Sequence, residues 1–298
     1  MCRFTANVDR GRSSAQRSSV EYGSDRRELE SSLLSEDSFF YRLVVAYVGT
    51  DFHGWQENDG VRTVQGSLRA AADVLSDSPA IVEGSSRTDT GVHALGHLVR
   101  LQLDRDHEPV DLQRSLQGIT PDDIEIISCE KSSAEWHPRF DAVAKRYLYR
   151  IWNGPRKSLF ESGTSWWIRA PLDVSAMAEA GKVLIGRHDF ASFRTRSKDE
   201  PEDTVRTIHN LTVQKSGDHV LVQVVGDGFL YRMVRNITGT LMDVGRGLIA
   251  VEDVEGILAA SDRREAGVTA PPEGLFLVEV STDPDNPIHC SNGDPFRQ

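Results

Sequence analysis

One short segment of the chain combines an acidic side chain, a basic side chain and a flexible backbone. Asp89 lies two residues after Arg87 and two residues before Gly91, and an alternating apolar segment follows at residues 97–103. A charged group at the mouth of a strand is well placed for catalysis, because the scaffold holds it rigidly. The same spacing also fits a loop aspartate that closes an Asx-turn. Spacing alone leaves both interpretations open.

An aromatic side chain in a predicted strand is the second candidate. Tyr147 and Tyr149 share one face of the alternating segment 146–152. Arg146 and Arg150 lie on its other face. Aromatic rings beside basic side chains form a platform on which single-stranded or flipped nucleotides stack. The pattern is equally compatible with a sheet whose tyrosines pack in the core while its arginines are solvated.

The third candidate is an arginine in a segment whose apolar spacing predicts a helix over residues 229–244. Opposite the apolar stripe, a polar stripe at positions i, i+3, i+4 and i+7 contains Arg232, Arg235, Asn236 and Gly239. An arginine that projects from a packed helix can form a bidentate pair with a carboxylate. An ordinary solvated charged face would give the same pattern.

The histidines and cysteines do not indicate a metal site. His93 and His97 are four residues apart, but Ala94 stands where the metalloprotease pattern needs glutamate. In a strand, four residues span roughly 13 Å, which is too far for one ion. No metal-ligand spacing relates Cys2, Cys129 and Cys290. We therefore expect no metal, and a structural or loop-anchoring role for His93.

The elements that must position these residues alternate between strands and helices. Period-two alternation predicts strands over residues 41–47, 97–103, 123–129, 146–152 and 275–280, and a hairpin of 207–214 with 219–225. Helices are predicted from Thr63 onward, over 229–244, and over 173–185 with Asp173 as N-cap. Two halves with a similar order of elements indicate a duplicated α+β architecture with largely antiparallel sheets.

Composition is typical of a soluble globular protein, since 39% of the 298 residues are hydrophobic and 27% are charged. No apolar run approaches the roughly 20 residues that span a bilayer. We expect a cytoplasmic location, or an organellar matrix if the N-terminal segment is a targeting sequence. The net charge of -11 argues against a nonspecific nucleic-acid coat, but a local basic cleft remains compatible with it.

The predicted domain organisation has four parts. Residues 1–37 are rich in Ser and Arg with little apolar content, which is typical of a disordered tail. Residues 38–138 form a first α+β subdomain that carries the Asp89 loop, and residues 139–282 form a second one. Residues 283–298 form a second tail, because they have no apolar period.

Eight segments between the tails, taken in order, are residues 46–56, 63–65, 87–94, 137–140, 145–149, 189–193, 233–237 and 270–277. Together they resemble the TruA-type tRNA pseudouridine synthase family. The chain departs from the family's pattern at Val48, where aspartate is usual, and at residues 116–121. Both departures lie outside the catalytic residues. The resemblance implies the pseudouridine synthase fold, with two similar α+β subdomains, mostly antiparallel sheets flanked by helices, and a central cleft.

The resemblance also assigns roles to individual residues. Asp89 takes the place of the catalytic aspartate, and Arg235 that of the arginine that pairs with it. Tyr147 takes the place of the tyrosine that stacks on the target base. Arg87 lies where a side chain helps to hold the flipped nucleotide, and Leu277 falls in the strand that lines the uracil pocket.

The implied reaction detaches uracil from ribose at N1, turns it and rejoins it through C5, so that it requires no cofactor and no metal. The target base must leave its stack, which costs a few kcal/mol. Attack of Asp89 on the ribose and attack on the pyrimidine ring both stay open. The implied partners are tRNA, bound at its anticodon stem-loop, and a second copy of the chain in a homodimer. Basic residues near the cleft are expected to include Arg139, Arg146, Arg232 and Arg235.

Two other functions compete with this one. A catalytically silent tRNA-binding protein or chaperone of the same fold would bind tRNA without converting uridine. A nucleoside hydrolase would release free uracil. A single essential carboxylate separates the implied reaction from glycoside hydrolysis, which usually needs two.

Overall fold

The computed structural model describes residues 38–196 and 202–285, together with residues 288, 290 and 296. The predicted tail 1–37 and most of the predicted tail 283–298 lie outside the described residues.

The strands of the described chain form one mixed sheet that is mostly antiparallel. They are β1 (Phe39–Tyr47), β2 (Ile81–Gly84), β3 (His93–Leu103), β4 (Ile124–Ser132), β5 (Ala144–Trp152), β6 (Trp166–Trp167), β7 (Gly186–Asp189), β8 (Val205–Ser216), β9 (His219–Gly226) and β10 (Leu275–Ser281). Their order is β4-β1-β3-β10-β5-β9-β8-β7, while β2 pairs with β3 and β6 with β5. The pairs β10–β3 and β5–β6 are parallel.

Helices flank this sheet. They are α1 (Val64–Asp73), α2 (Pro109–Ile119), α3 (Val174–Lys182), α4 (Met233–Gly245) and α5 (Asp253–Ala260). The side chains of Thr63 and Asp173 accept hydrogen bonds from the backbone N–H groups of Gly66 and Ala176, respectively, which fixes where α1 and α3 begin. The predicted helix starts at these two residues are confirmed, as is the α+β class with a mostly antiparallel sheet.

Strand β10 determines how the site is assembled. It comes from the C-terminal end of the described chain, yet it lies between β3 and β5 in the middle of the sheet. Leu277 of β10 is paired in register with Ala94 of β3 on one side and with Tyr147 of β5 on the other. The sheet therefore continues across the predicted boundary at residue 138. The division into two similar subdomains stays a prediction.

Helix α4 starts later than predicted, and the alternative that Arg235 lies on a solvated helix face was wrong. The helix begins at Met233 instead of residue 229, because Arg232 adopts a left-handed backbone conformation with φ 59°. Every residue of α4 is buried, including Arg235 and Asn236. A helix that is buried all round must satisfy its polar side chains inside the protein.

Several elements were missed because their apolar signal is short. Strand β2 has only four residues, and helix α2 buries only Leu112 and Leu116. The predicted helix 173–185 ends earlier, at Lys182. Conversely, β3 begins at His93 instead of residue 97, so that both histidines considered as metal ligands lie in one strand.

Candidate active site

The loop between β2 and β3 carries Asp89 and is fixed by backbone contacts on both sides. Trp55 N–H donates to the carbonyl oxygen of Thr88 at 3.0 Å. This close approach requires glycine at position 54, where φ is +88° and a Cβ atom would lie 2.7 Å from the same oxygen. Gly91 also has a positive φ, of +78°, and turns the chain into β3. The segment 46–56 thus supports the backbone that presents Asp89.

A buried polar network lies beneath this loop. Ser86 N–H donates to Nε2 of His97 at 3.2 Å. Nε2 is therefore an acceptor, and the ring proton is on Nδ1. Nδ1 donates to the Tyr47 hydroxyl oxygen at 3.1 Å. The Tyr47 hydroxyl also shares a hydrogen bond with Oγ1 of Thr88 at 2.8 Å. Burial, together with the nearby charge of Lys145, lowers the pKa of His97 to about 3, so the neutral ring is favoured.

Asp89 meets an arginine from the distant helix α4. Nη1 of Arg235 donates to Oδ2 of Asp89 at 2.7 Å. Nε of Arg235 donates to the carbonyl oxygen of Ala270 at 2.8 Å, which fixes the orientation of the guanidinium group. Only 15% of the Asp89 side chain and 10% of the Arg235 side chain are exposed. Water therefore screens this pair less than it screens a surface ion pair.

Tyr147 lies within electrostatic reach of the same carboxylate. Burial raises the pKa of its hydroxyl to about 12, and the charge of Asp89 contributes to the rise, whereas the Ser86 hydroxyl opposes it. Phe229 packs edge-on against the Tyr147 ring, with 5.1 Å between the ring centroids. Only 7% of Tyr147 is exposed, and Tyr149 is fully buried. These tyrosines pack on the core, as one interpretation of the sequence held, and Tyr147 also borders the Asp89 site. The same interpretation was wrong about solvated arginines, because Arg150 is buried and pairs with Glu161.

The remaining predicted site residues occupy two different settings. Leu277 is fully buried beside Tyr147 in the sheet. Arg87 is exposed, and its side chain forms no hydrogen bond or ion pair with the part of the chain that the structure describes. The structure thus brings Asp89, Arg235, Tyr147 and Leu277 to one region, and it leaves Arg87 at the surface of the Asp89 loop.

The arginines expected near a cleft divide into two groups. Nε of Arg232 lies 4.0 Å from Oδ2 of Asp89. Arg146, in contrast, pairs with Glu279 at 3.0 Å, and Arg139 is exposed. Asp89 therefore faces two guanidinium groups, from Arg232 and Arg235.

Sequence reasoning missed residues that support the site without being part of the catalytic set. Nζ of Lys145 donates to the carbonyl oxygen of Ser85 at 2.6 Å. Burial lowers the pKa of Lys145 to about 8, and the charge of Arg139 contributes. The position of Lys145 directly before the Arg146-Tyr147 pair was a signal that could have identified it. No local pattern links Tyr47 and His97 to the loop, since these contacts span many residues.

His93 has the anchoring role that the sequence predicted. Its Nδ1 accepts a hydrogen bond from Gly49 N–H at 3.1 Å, and its ring stacks on Phe276 with 4.6 Å between centroids. Among the described residues, no group of three or more His, Cys, Asp or Glu side chains is arranged to hold a metal ion. None of the described helices has the length and apolarity needed to cross a membrane.

Comparison with known proteins identifies the class to which this fold and site belong. The family model described as tRNA pseudouridine synthase matches residues 43–141 and 180–283. These ranges contain Arg87, Asp89, Arg235 and Leu277, whereas Tyr147 falls between them. Because the match covers more than half of the chain, the chain belongs to the tRNA pseudouridine synthase family.

Individual relatives agree with this assignment. The protein named tRNA pseudouridine synthase A of Brevibacillus brevis is 44% identical over 240 residues, which cover 80% of this chain and 98% of the relative. The protein of the same name from Methylacidiphilum infernorum is 38% identical over 245 residues, which cover 82% of this chain and 96% of the relative. The predicted TruA-type resemblance is confirmed, and the chain is an isomerase that acts on tRNA.

Proposed function

We propose that this enzyme converts uridine to pseudouridine in the anticodon stem-loop of tRNA, with Asp89 as the nucleophile. The observation that supports the proposal best is the largely buried ion pair in which Nη1 of Arg235 lies 2.7 Å from Oδ2 of Asp89. A nucleophilic carboxylate must be ionised and held in one orientation. The guanidinium group, itself fixed by Ala270, meets both requirements.

The other site residues supply binding and orientation. A uridine that is flipped out of its stack loses stacking energy, and an aromatic ring recovers part of it. Tyr147 supplies that ring beside Asp89. Leu277, next to Tyr147 in the sheet, gives the uracil an apolar wall, and the exposed Arg87 holds the flipped nucleotide from the solvent side.

The reaction balances without an added reactant. The C1′–N1 bond breaks and a C1′–C5 bond forms, while the proton on C5 leaves to water and N1 takes up a proton. The partners we propose are tRNA and a second copy of the chain, with the tRNA held in a cleft that the two copies share. We propose that the enzyme is located in the cytoplasm. These finer assignments rest on the resemblance to the family.

Replacing Asp89 by asparagine tests the proposal. The change keeps the size of the side chain but removes its negative charge, so we expect the variant to fold and to form no pseudouridine. Tritium release from tRNA labelled at uridine C5 measures the reaction, because the C5 hydrogen leaves only when the new bond forms. The matched control is Asp59→Asn, at an exposed loop position, which should react like the unmodified protein.

The same assay separates the competing functions. Turnover retained by purified Asp89→Asn would refute the role of Asp89. Tight tRNA binding by the unmodified protein without any tritium release would favour the silent binding protein. Free uracil among the products, detected by chromatography, would favour hydrolysis.

A further inference from the structure

One residue of the site adopts a backbone conformation that its side chain disfavours. Arg232 has φ 59°, and the only other described non-glycine residue with a positive φ is Ser261, with φ 50°. The left-handed region costs free energy for a residue with a Cβ atom, so it persists only where surrounding contacts impose it. Here the carbonyl oxygen of Tyr231 accepts from Thr195 N–H at 3.1 Å, and that of Arg232 accepts from Asn236 N–H at 2.9 Å.

This conformation directs the Arg232 side chain toward the candidate active site. Its Nε lies 4.0 Å from Oδ2 of Asp89, and 38% of the side chain is exposed. Its guanidinium carbon lies over the ring of Tyr231, 4.8 Å from the centroid, which restricts its orientation. Nε is buried without a hydrogen-bond partner among the described residues. Arg232 is therefore oriented, and an outside group can reach it through the exposed 38% of its side chain and not through Nε.

The charges of the site favour an anion as that group. Asp89 carries one negative charge and already has a direct partner in Arg235, at 2.7 Å. Arg232 adds a second guanidinium group, so the three side chains together carry a net charge of about +1 at neutral pH. A planar guanidinium group binds phosphate oxygens through two parallel hydrogen bonds.

We propose that Arg232 binds the phosphodiester group next to the uridine that Asp89 attacks. The inference rests on the proposed function, because a flipped nucleotide in RNA brings one backbone phosphate on each side of it into the site. The strained backbone at Arg232 is then retained for RNA binding, since glycine would occupy the same conformation without strain. Arg235, in contrast, already donates hydrogen bonds to the Asp89 carboxylate and to the carbonyl oxygen of Ala270.

The test measures tRNA binding separately from chemistry. Each substitution is made in the Asp89→Asn background, and the dissociation constant of a tRNA transcript is measured over a range of salt concentrations. For Arg232→Gly we expect about tenfold weaker binding and a salt slope that is smaller by about 1, which corresponds to one lost phosphate contact. Arg232→Lys should keep most of the salt slope, because it retains the charge.

Ser261→Gly is the matched control, because it relieves the same kind of backbone strain at the end of α5. We expect it to leave both the dissociation constant and the salt slope unchanged. Thermal unfolding should show no loss of stability for either glycine variant. If Arg232→Gly proves unstable, Arg232→Gln provides the same comparison with a side chain in place.

Two results would overturn the inference. One is an unchanged dissociation constant and salt slope in Arg232→Gly or Arg232→Gln. The other is a fall in kcat of the Arg232 variants of the otherwise unmodified enzyme with unchanged tRNA binding, since Arg232 would then act on Asp89 and not on RNA. Neither result depends on whether Asp89→Asn is inactive, so failure of the proposed nucleophile would be recognised separately.

Discussion

Replacing Arg235 by methionine removes the cation beside Asp89 while keeping a buried side chain of comparable length. Two hydrogen bonds are lost, at 2.7 Å to Asp89 and at 2.8 Å to the carbonyl oxygen of Ala270. Removing one partner of a buried ion pair typically costs 3–5 kcal/mol, because it leaves an uncompensated charge. Since Asp89 keeps 15% exposure and has Arg232 within 4.0 Å, we expect the lower end, about 3 kcal/mol.

The same substitution in the Asp89→Asn background should cost less. No carboxylate is then left unpaired, and the loss is mainly the hydrogen bond to Ala270, worth about 1 kcal/mol. The coupling free energy between positions 89 and 235 is therefore expected to be about 2 kcal/mol. In the enzyme with Asp89 intact, Arg235→Met should also lower the rate of pseudouridine formation about 100-fold or more, since a misplaced reacting group costs that much.

Urea unfolding of the four proteins of this double-mutant cycle measures the coupling, with equal m-values as the check that the transition remains comparable. The chain offers a matched control in the pair of Arg62 and Asp123. Their contact is also 2.7 Å long, but 39% and 25% of the two side chains are exposed. Exposed pairs are typically worth less than about 1 kcal/mol. A coupling at Arg235 no larger than that at Arg62 would refute the stabilising role of burial at the Asp89–Arg235 pair.

Three further predictions concern tyrosine and histidine side chains. Burial and the charge of Lys145 depress the pKa of His97 to about 3. The neutral His97 ring therefore contributes to stability above pH 6.5, the ordinary pKa of histidine. This contribution is lost as the pH falls below 6.5, by up to about 1.4 kcal/mol per pH unit. His97→Gln should therefore flatten the pH dependence of urea unfolding between pH 6.5 and 5; an unchanged curve would contradict the neutral buried ring. Tyr147→Phe should keep tRNA turnover within a few-fold, because the ring remains and the lost hydroxyl, with a pKa of about 12, is protonated in the unmodified enzyme. Tyr147→Leu removes the ring and should lose a stacking free energy of about 1–3 kcal/mol. Equal KM values for the two variants in steady-state assays would exclude stacking. The Tyr149 hydroxyl donates to the carbonyl oxygen of Pro271 at 2.7 Å. Tyr149→Phe removes this hydrogen bond and should destabilise the fold by about 1 kcal/mol in thermal or urea unfolding. Unchanged stability would show that the bond contributes nothing.

Local sequence patterns predicted the elements whose signals are contained within a few residues. The caps at Thr63 and Asp173 and the alternating strands were recoverable, because capping and apolar alternation act between near neighbours. The start of α4 was not recoverable in this way. Its apolar spacing continues through residues 229–232, whereas Arg232 adopts a left-handed conformation outside the helix. Its neighbour Tyr231 accepts a hydrogen bond from the distant Thr195.

Sequence patterns alone were enough for the α+β class, the motif around Asp89 and, through eight segments in order, the family. They left open whether Tyr147 forms a stacking platform or packs in the core, and whether Arg235 is solvated, because periodicity assigns residues to faces and does not show what covers each face. The pairing of Asp89 with Arg235, 146 positions away and largely shielded from solvent, became visible only in the folded chain. The pair forms because β10 inserts between β3 and β5 and because α4 is covered on every side. Pairings between such distant segments follow from the whole packed sheet and not from any local pattern.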